Sequence, residues 1–213
     1  MIFDISYIVF IHLLERRAAE MPVLRTFIAI DLPGELTNRL RDVNDNLQKQ
    51  FIGFPIRWVA AEDMHITLKF FGDVSSSNIQ SIHDIVLAEA SYIKPFEISL
   101  GDFGVFPDLT RPRVIWTGVQ GPDEIFNFQR RVDLETARLG YASDHRPFFP
   151  HITLGRVSRN SSIAEIRKIS DLLRKQKLGF LGAARIYNVH IYHSDRRPQG
   201  AKYNKLYTSK FTS

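Results

Sequence analysis

The spacing of apolar residues along the chain alternates between that of a strand and that of a helix. Near the start, "TFIAI" (26–30) is rich in strand-forming residues and precedes the turn-forming "DLPGE". Residues 35–50 then carry apolar side chains three or four positions apart, among them Leu36, Leu40 and Leu47. This spacing predicts a helix after the first strand.

The same order of elements continues and then repeats. "HITLKFFG" (65–72) has the composition of a strand, and a serine-led amphipathic stretch at 75–93 predicts a helix after it. The second half follows with a strand at 113–119, a helix at 123–139, a strand at 150–158 and a helix at 162–177. Further strands are predicted at 96–106 (a strand pair or one bulged strand), 185–194 and 203–211. A strand–helix–strand–helix unit that occurs twice predicts an α+β domain of two similar lobes, whose matching strands face each other across a pseudo-twofold axis.

One tetrapeptide occurs at the same place in both halves. His-Ile-Thr-Leu begins at His65 and again at His151, 86 positions later. Each copy is followed by a pair of serines at the same offset, Ser75-Ser76 and Ser161-Ser162. The shared position in the order of elements makes this repeat more informative than four identical letters alone.

The alternation of side chains along a strand indicates what the motif does. His65 and Thr67 point to one side of their strand while Ile66 and Leu68 point to the other, and the second copy does the same. Each strand thus presents an apolar side to its own lobe. If the two strands meet at the lobe interface, the opposite side becomes a cleft with two histidines and two threonines.

This set of side chains suits proton transfer around a phosphate. With an ordinary pKa of ~6.5, one imidazole accepts a proton while the other donates one. The hydroxyls of Thr67 and Thr153 can hold the oxygens of a tetrahedral anion, and an arginine would stabilise its charge. Arg156 faces the same side as Thr153 only if the strand bulges or bends near Gly155. The symmetry of the pair leaves open which histidine is the acid.

Other chemistry-bearing residues are given structural roles, with one exception. Phe148 lies just before Pro150, where the chain enters the second motif, so we predict that its ring stacks on a nucleobase at the cleft rim. The remaining histidines are interpreted as structural: His12, His83, His145, His190 and His193. His190 and His193 are an odd number of residues apart and would face opposite sides of a strand, so no metal site and no cofactor is predicted.

Composition narrows the classes of function. The absence of cysteine excludes disulfides, thiolate zinc sites and a cysteine nucleophile. Residues 1–110 carry 9 Lys/Arg and 15 Asp/Glu, whereas residues 111–213 carry 19 and 8, so net charges of −6 and +11 fall on the two halves. The basic half favours a polyanionic partner such as nucleic acid, although solvated basic helix faces explain it equally well.

The first twenty residues are predicted to lie outside the domain. Their apolar run, residues 5–14, is too short to span a bilayer and lacks the preceding positive charges of a secretory signal. Met21 directly precedes the first strand, which favours a domain at 21–213 and an over-extended start at 1–20; an amphipathic helix packed on the domain is the alternative. A cytoplasmic protein with no membrane association and no obligatory protein partner is expected.

The paired motifs resemble those of the two-histidine (2H) phosphoesterase superfamily. The chain is most similar to the bacterial and archaeal RNA 2′,3′-cyclic phosphodiesterases, historically called 2′-5′ RNA ligases. The resemblance runs from "RTFIAIDLP" through "RWVAAEDMHITLKFFGDV" and "RPFFPHITLGRV" to "IYHSDRRPQGAKYNKLYTSKF". It implies a bilobal fold with two antiparallel sheets around a central cleft and helices outside.

The resemblance also implies a reaction. It is metal-independent hydrolysis of a 2′,3′-cyclic phosphate, on an RNA end or a nucleotide, to a 2′-phosphomonoester. By analogy with the family, His65 is the proton donor and His151 the proton acceptor, with Thr67, Thr153 and Arg156 binding the phosphate. A 2′-5′ RNA ligase, a phosphodiesterase of small cyclic nucleotides and a non-catalytic RNA-binding module stay open as alternatives.

Overall fold

The computed structural model describes residues 22–144, 146–197 and 200–212. The predictions for residues 1–20 and for His145 lie outside these residues. The strands are β1 Val23–Asp31, β2 Ile56–Trp58, β3 His65–Ser75, β4 Phe96–Phe106, β5 Val114–Gln120, β6 His151–Val157, β7 Gly182–Ile186, β8 Asn188–Arg197 and β9 Gly200–Lys210. The helices are α1 Gly34–Gln50, α2 Ser76–Ala90, α3 Asp123–Arg138 and α4 Ile163–Leu173, with a short 3₁₀ turn at Ala61–Asp63.

All nine strands belong to one curled antiparallel sheet with internal symmetry. Its order is β7-β4-β5-β6-β3-β1-β8-β9, with β2 paired to the end of β6. Along this path four strands lie on each side of the junction between β3 and β6, in mirrored order, and β2 is an additional strand on the β6 side. The predicted α+β fold of two similar lobes is confirmed, and the two lobe sheets are continuous with each other through this junction.

The helices cover one face of the sheet and bury its apolar side chains. Ile66 and Ile152, at the middle of the two motifs, are fully buried in the core. The apolar sides of all four helices contribute to the same core, for example with Leu40 of α1, Ile82 of α2 and Phe128 of α3. This packing leaves the other face of β3 and β6 free to form a groove.

The structure refines two element predictions. The stretch 96–106 is one strand, β4, with a bulge at Asp102, where the backbone adopts a left-handed conformation with φ of 61°. The α4 helix ends at Leu173 rather than at 177, because the polar residues that follow bury little surface. Its start is fixed by a capping box, in which Ser162 and Glu165 exchange hydrogen bonds.

Candidate active site

The two His-Ile-Thr-Leu motifs meet directly at the centre of the sheet. Ile66 of β3 pairs with Ile152 of β6 in an antiparallel register. In such a register each motif's histidine lies beside the threonine of the other motif. Because both isoleucines face the core, alternation directs the neighbouring polar side chains to the groove. One cavity of about 210 Å³ is accordingly lined by His65, Thr67, His151 and Thr153.

A bulge in β6 brings Arg156 to the same side as these residues. Thr153 and Gly155 pair with successive residues of β5, so Leu154 is an extra residue in β6. An extra residue reverses the alternation beyond it, and Arg156 consequently lines the cavity that holds both histidines. The bulge near Gly155, on which the prediction for Arg156 depended, is therefore present.

The first motif carries the same bulge with a different outcome. Thr67 and Lys69 pair with successive residues of β1, which makes Leu68 the extra residue. Lys69 consequently turns toward the helices, where its Nζ donates to the carboxylate of Asp133 at 2.6 Å and both side chains are largely buried. Phe70, at the position that corresponds to Arg156, turns into the groove. The two lobes thus present an arginine on one side and an aromatic ring on the other.

Both imidazoles are held in the same way by the backbone. Nδ1 of His65 lies 2.7 Å from the carbonyl oxygen of Asp63, and Nδ1 of His151 lies 2.8 Å from that of Phe149. A carbonyl oxygen only accepts hydrogen bonds, so Nδ1 carries the proton in each ring. Nε2 of each ring is therefore available to take up or release a proton.

The surroundings shift the proton affinity of the two rings. Burial lowers the pKa of both His65 and His151, because the cavity solvates an imidazolium less well than water does. The hydrogen bonds to the backbone carbonyls partly oppose this effect in both rings, while the positive charge of Arg156 adds to it. Asp31 also favours the protonated form of His65, and no described carboxylate has this effect on His151.

Asp31 belongs to a polar network beside the first motif. It pairs with His65 across β1 and β3. Its carboxylate accepts hydrogen bonds from the Tyr192 hydroxyl at 2.6 Å and from the Lys205 ammonium at 2.8 Å, and His190 Nε2 lies 3.5 Å away. Burial alone would raise the pKa of Asp31, but the bonds from Lys205 and Tyr192 outweigh burial and lower it. A negative charge is thereby kept near His65.

The central cavity continues at both ends into a longer groove. Beyond His65 it joins a cavity of about 390 Å³, and beyond His151 it joins one of about 890 Å³. Thr67 and Arg156 line all three cavities. A ligand held at the centre can therefore extend in either direction.

Comparisons with known proteins show the family of this chain. The family model of the LigT-like phosphoesterases matches residues 30–116, which include the first motif. An RNA 2′,3′-cyclic phosphodiesterase of Methanothermobacter thermautotrophicus is 32% identical over 185 residues, covering 86% of this chain and 96% of the relative. The chain belongs to the LigT-like phosphoesterase family.

Solved structures share the fold. A Thermus thermophilus protein superposes with a TM-score of 0.74 at 19% identity, over 88% of this chain and 98% of that one. Escherichia coli LigT in complex with 3′-AMP superposes with a TM-score of 0.69 at 26% identity, over 90% of this chain and 100% of that one. This phosphoesterase therefore has the 2H fold that the resemblance implied.

Aromatic rings surround both histidines of this phosphoesterase, and most were missed at the sequence level. Phe27, Tyr192 and Tyr203 pack around His65, with the Phe27 ring centroid 4.9 Å from the imidazole. Phe106, Trp116 and Phe149 pack around His151. Phe149 was detectable, because it lies two residues before His151 and so shares its side of the strand. The others come from distant strands.

Phe148, the ring chosen from the sequence, lies in the wider end of the groove. It lines the 890 Å³ cavity together with His151 and packs edge-on against Phe126 of α3. Phe149 is the more exposed of the two rings, at 51%. Base stacking on Phe148 stays a prediction, and Phe149 is a second candidate for the same role.

The other histidines that the structure describes lie outside the central cavity. His83 stacks on Tyr207, and His190 contacts Asp31 and Thr208. His193 is displaced by three residues from His190 along β8 and faces the opposite side. Across the described ranges, no three His, Cys, Asp or Glu side chains are grouped as metal ligands. Among the same residues, no helix is long and apolar enough to cross a membrane.

Proposed function

We propose that this phosphoesterase hydrolyses 2′,3′-cyclic phosphate ends of RNA to 2′-phosphomonoesters, using two histidines and no metal ion. The observation that carries the proposal is the arrangement of the two imidazoles. Each has Nδ1 fixed by a backbone carbonyl, and both line one cavity with two threonine hydroxyls and Arg156. An acid and a base on either side of a phosphate are what hydrolysis of a cyclic ester requires.

The proposed reaction is one displacement at phosphorus. Neutral His151 takes a proton from a water molecule through Nε2 as the water oxygen attacks the phosphorus atom. The bond from phosphorus to O3′ breaks, and protonated His65 gives its Nε2 proton to the leaving oxygen. The products are a 2′-phosphate and a free 3′-hydroxyl. The carboxylate of Asp31 supports this assignment, because it favours the protonated form of His65 alone.

The threonines and the arginine would stabilise the phosphate during this step. Thr67 and Thr153 present hydroxyl donors to the phosphate oxygens. Arg156 supplies a positive charge that stays in place whichever histidine is neutral. Charge accumulates on the non-bridging oxygens as water attacks, so donors fixed in advance are stronger there than in water. No step in this scheme needs a metal ion or another cofactor.

The relatives and the groove support the proposed substrate class. The matched relatives are RNA 2′,3′-cyclic phosphodiesterases, and E. coli LigT binds 3′-AMP. Aromatic side chains at the wide end, including Phe106 and Phe149, offer flat surfaces for a base. A nucleotide whose phosphate lies between the histidines would thus place its base at this end.

The decisive experiment uses an oligoribonucleotide that ends in a 2′,3′-cyclic phosphate, with EDTA present. We expect a 2′-phosphate product, identified by NMR. Replacing His65 or His151 with Ala should lower kcat by at least ~10²-fold, the usual contribution of a general acid or base. The matched control is His83→Gln on α2, which lies outside the central cavity and should leave kcat near the wild-type value.

A different result would contradict each part of this proposal. Near-wild-type kcat in either alanine variant would refute the role of that histidine. Complete loss of activity in EDTA would contradict the metal-free mechanism. Turnover of cyclic mononucleotides alone would favour the small-nucleotide phosphodiesterase, and tight RNA binding without turnover would favour a binding module.

A further inference from the structure

Four arginines converge on the cavity beyond His65. Arg25 from β1, Arg57 from β2, Arg156 from β6 and Arg196 from β8 all line this space of about 390 Å³. Ser194 and Tyr203 add polar groups to its wall. The four arginines come from strands in both lobes, so only the folded sheet brings them together.

Among the residues that the structure describes, no carboxylate forms an ion pair with any of these four arginines. Arg57 and Arg156 are direct partners across β2 and β6, an arrangement of like charges that costs stability. Within the described parts of the chain, no carboxylate oxygen lies within 4 Å of any of the four guanidinium groups. Arg25 instead lies over the ring of Phe70, with its guanidinium carbon 4.4 Å from the ring centroid. A concave site with this excess of guanidinium donors suits an anion.

The position of this cavity identifies which anion. His65, Thr67 and Arg156 line both it and the central cavity, so the two are in contact. We propose that the four-arginine cavity binds a second phosphate group, the one on the 5′ side of the nucleoside whose cyclic phosphate lies between the histidines. This inference rests on the proposed function, because it takes the central cavity as the site of the reacting phosphate.

A second phosphate can come from two sources with the same chemistry. In an RNA strand it is the last internucleotide phosphodiester, and in a mononucleotide it is a 5′-phosphate. A nucleoside 2′,3′-cyclic phosphate without a 5′-phosphate has neither. The enzyme should therefore prefer RNA ends and 5′-phosphorylated nucleotides over that minimal substrate.

The first test measures binding without turnover. Adenosine 3′,5′-bisphosphate and adenosine 3′-phosphate differ only in the 5′-phosphate, and their Kd values are compared by calorimetry. We expect the wild-type protein to bind the bisphosphate roughly tenfold or more tightly, as charged hydrogen bonds to a phosphate provide. Arg25→Gln and Arg196→Gln should each reduce this preference, and the double variant should abolish it. Arg167→Gln, an exposed arginine on α4, is the charge-matched control that keeps the preference.

The second test measures kcat/KM for two substrates that react. These are a dinucleotide with a 2′,3′-cyclic phosphate end and the corresponding nucleoside 2′,3′-cyclic phosphate. We expect the ratio of the two kcat/KM values to fall in the Arg25 and Arg196 variants and to stay unchanged in Arg167→Gln. Equal Kd values for the two adenosine ligands in the wild-type protein, or a preference that survives in the double variant, would overturn the proposal. Because the calorimetry needs no reaction, it decides on the second-phosphate site even if the proposed hydrolysis fails.

Discussion

At the scale of single residues, the two histidines are equivalent in geometry and different in electrostatics. Each Nδ1 is bonded to the carbonyl two residues earlier, so both rings have the same tautomer. Of these two histidines, only His65 has a described carboxylate that favours its protonated form, that of Asp31. Such a difference between two like groups separates an acid from a base. It also has a measurable consequence for the pH dependence of the reaction.

The kcat/KM of the wild-type enzyme should follow a bell-shaped pH profile with its maximum below ~6.5, the ordinary pKa of histidine. The productive form has one neutral and one protonated imidazole, and burial lowers the pKa of both rings. Activity falls at higher pH as the acid loses its proton and at lower pH as the base gains one. Asp31→Asn removes the charge that favours protonated His65, so the alkaline limb should move to lower pH. The kcat/KM near pH 7.5 should then fall by roughly three- to tenfold.

The control for this variant is Asp171→Asn, which removes a carboxylate from the exposed surface of α4, where it pairs with Arg174. Both limbs of its profile should match those of the wild-type enzyme. If Asp31→Asn lowered activity equally at every pH, the role of Asp31 would be structural, and the assignment of His65 as the acid would lose its electrostatic support.

At the scale of elements, an extra residue at the same place in each central strand, directly after the motif's threonine, defines the site. The bulges at Leu68 and Leu154 reverse the alternation beyond Thr67 and Thr153. One reversal places Arg156 in the groove, and the other buries Lys69 against Asp133. A regular strand would do the opposite, leaving the arginine in the core and the lysine in the groove.

Gly155 allows the bulge of β6 to pack against β2. A Cβ atom at this position would lie 2.8 Å from a ring carbon of Trp58 and 3.2 Å from Cγ2 of Ile56. We expect Gly155→Ala to lower the free energy of unfolding by ~1–3 kcal/mol, the usual cost of overpacking, as measured by urea denaturation. It should also lower kcat, because Thr153 and Arg156 flank the displaced backbone. Gly34→Ala, where an added Cβ meets no atom within 4 Å, is the control. Equal stability of the two variants would show that the Trp58 ring moves away from the added methyl group without a cost in stability.

At the scale of the whole molecule, the groove crosses the junction of the lobes and has unlike ends. The end beyond His65 is lined by Arg25, Arg57 and Arg196, and the end beyond His151 by the rings of Phe106, Phe148 and Phe149 together with Arg113 and Arg146. The excess of basic residues in the second half of the sequence explains only some of the arginines that line the groove. Arg25 and Arg57 belong to the acidic first half. The four-arginine cavity is thus a product of folding.

Salt should weaken the binding of an oligoribonucleotide far more than that of a mononucleoside 3′-phosphate. Each additional phosphate neutralised by an arginine should add about −0.7 to the slope of log Kd⁻¹ against log salt for a single strand. The measurement compares a tetranucleotide and adenosine 3′-phosphate over a series of potassium chloride concentrations. Equal slopes for the two ligands would mean that the groove contacts one phosphate only.

The sequence by itself determined the repeat, the alternation within each motif and the identity of the central residues. These features depend on local periodicity, so His65, Thr67, His151 and Thr153 could be recognised together. Arg156 could be predicted only conditionally, because the sequence permits a bulge at Gly155 without requiring one. The tertiary structure decided the bulge positions, the Asp31 network and the ring of aromatic side chains, since each of these depends on which strands become neighbours. Arg25, Arg57 and Arg196 share one cavity for the same reason: pairing between strands, unlike periodicity along one strand, joins residues that are far apart in the chain.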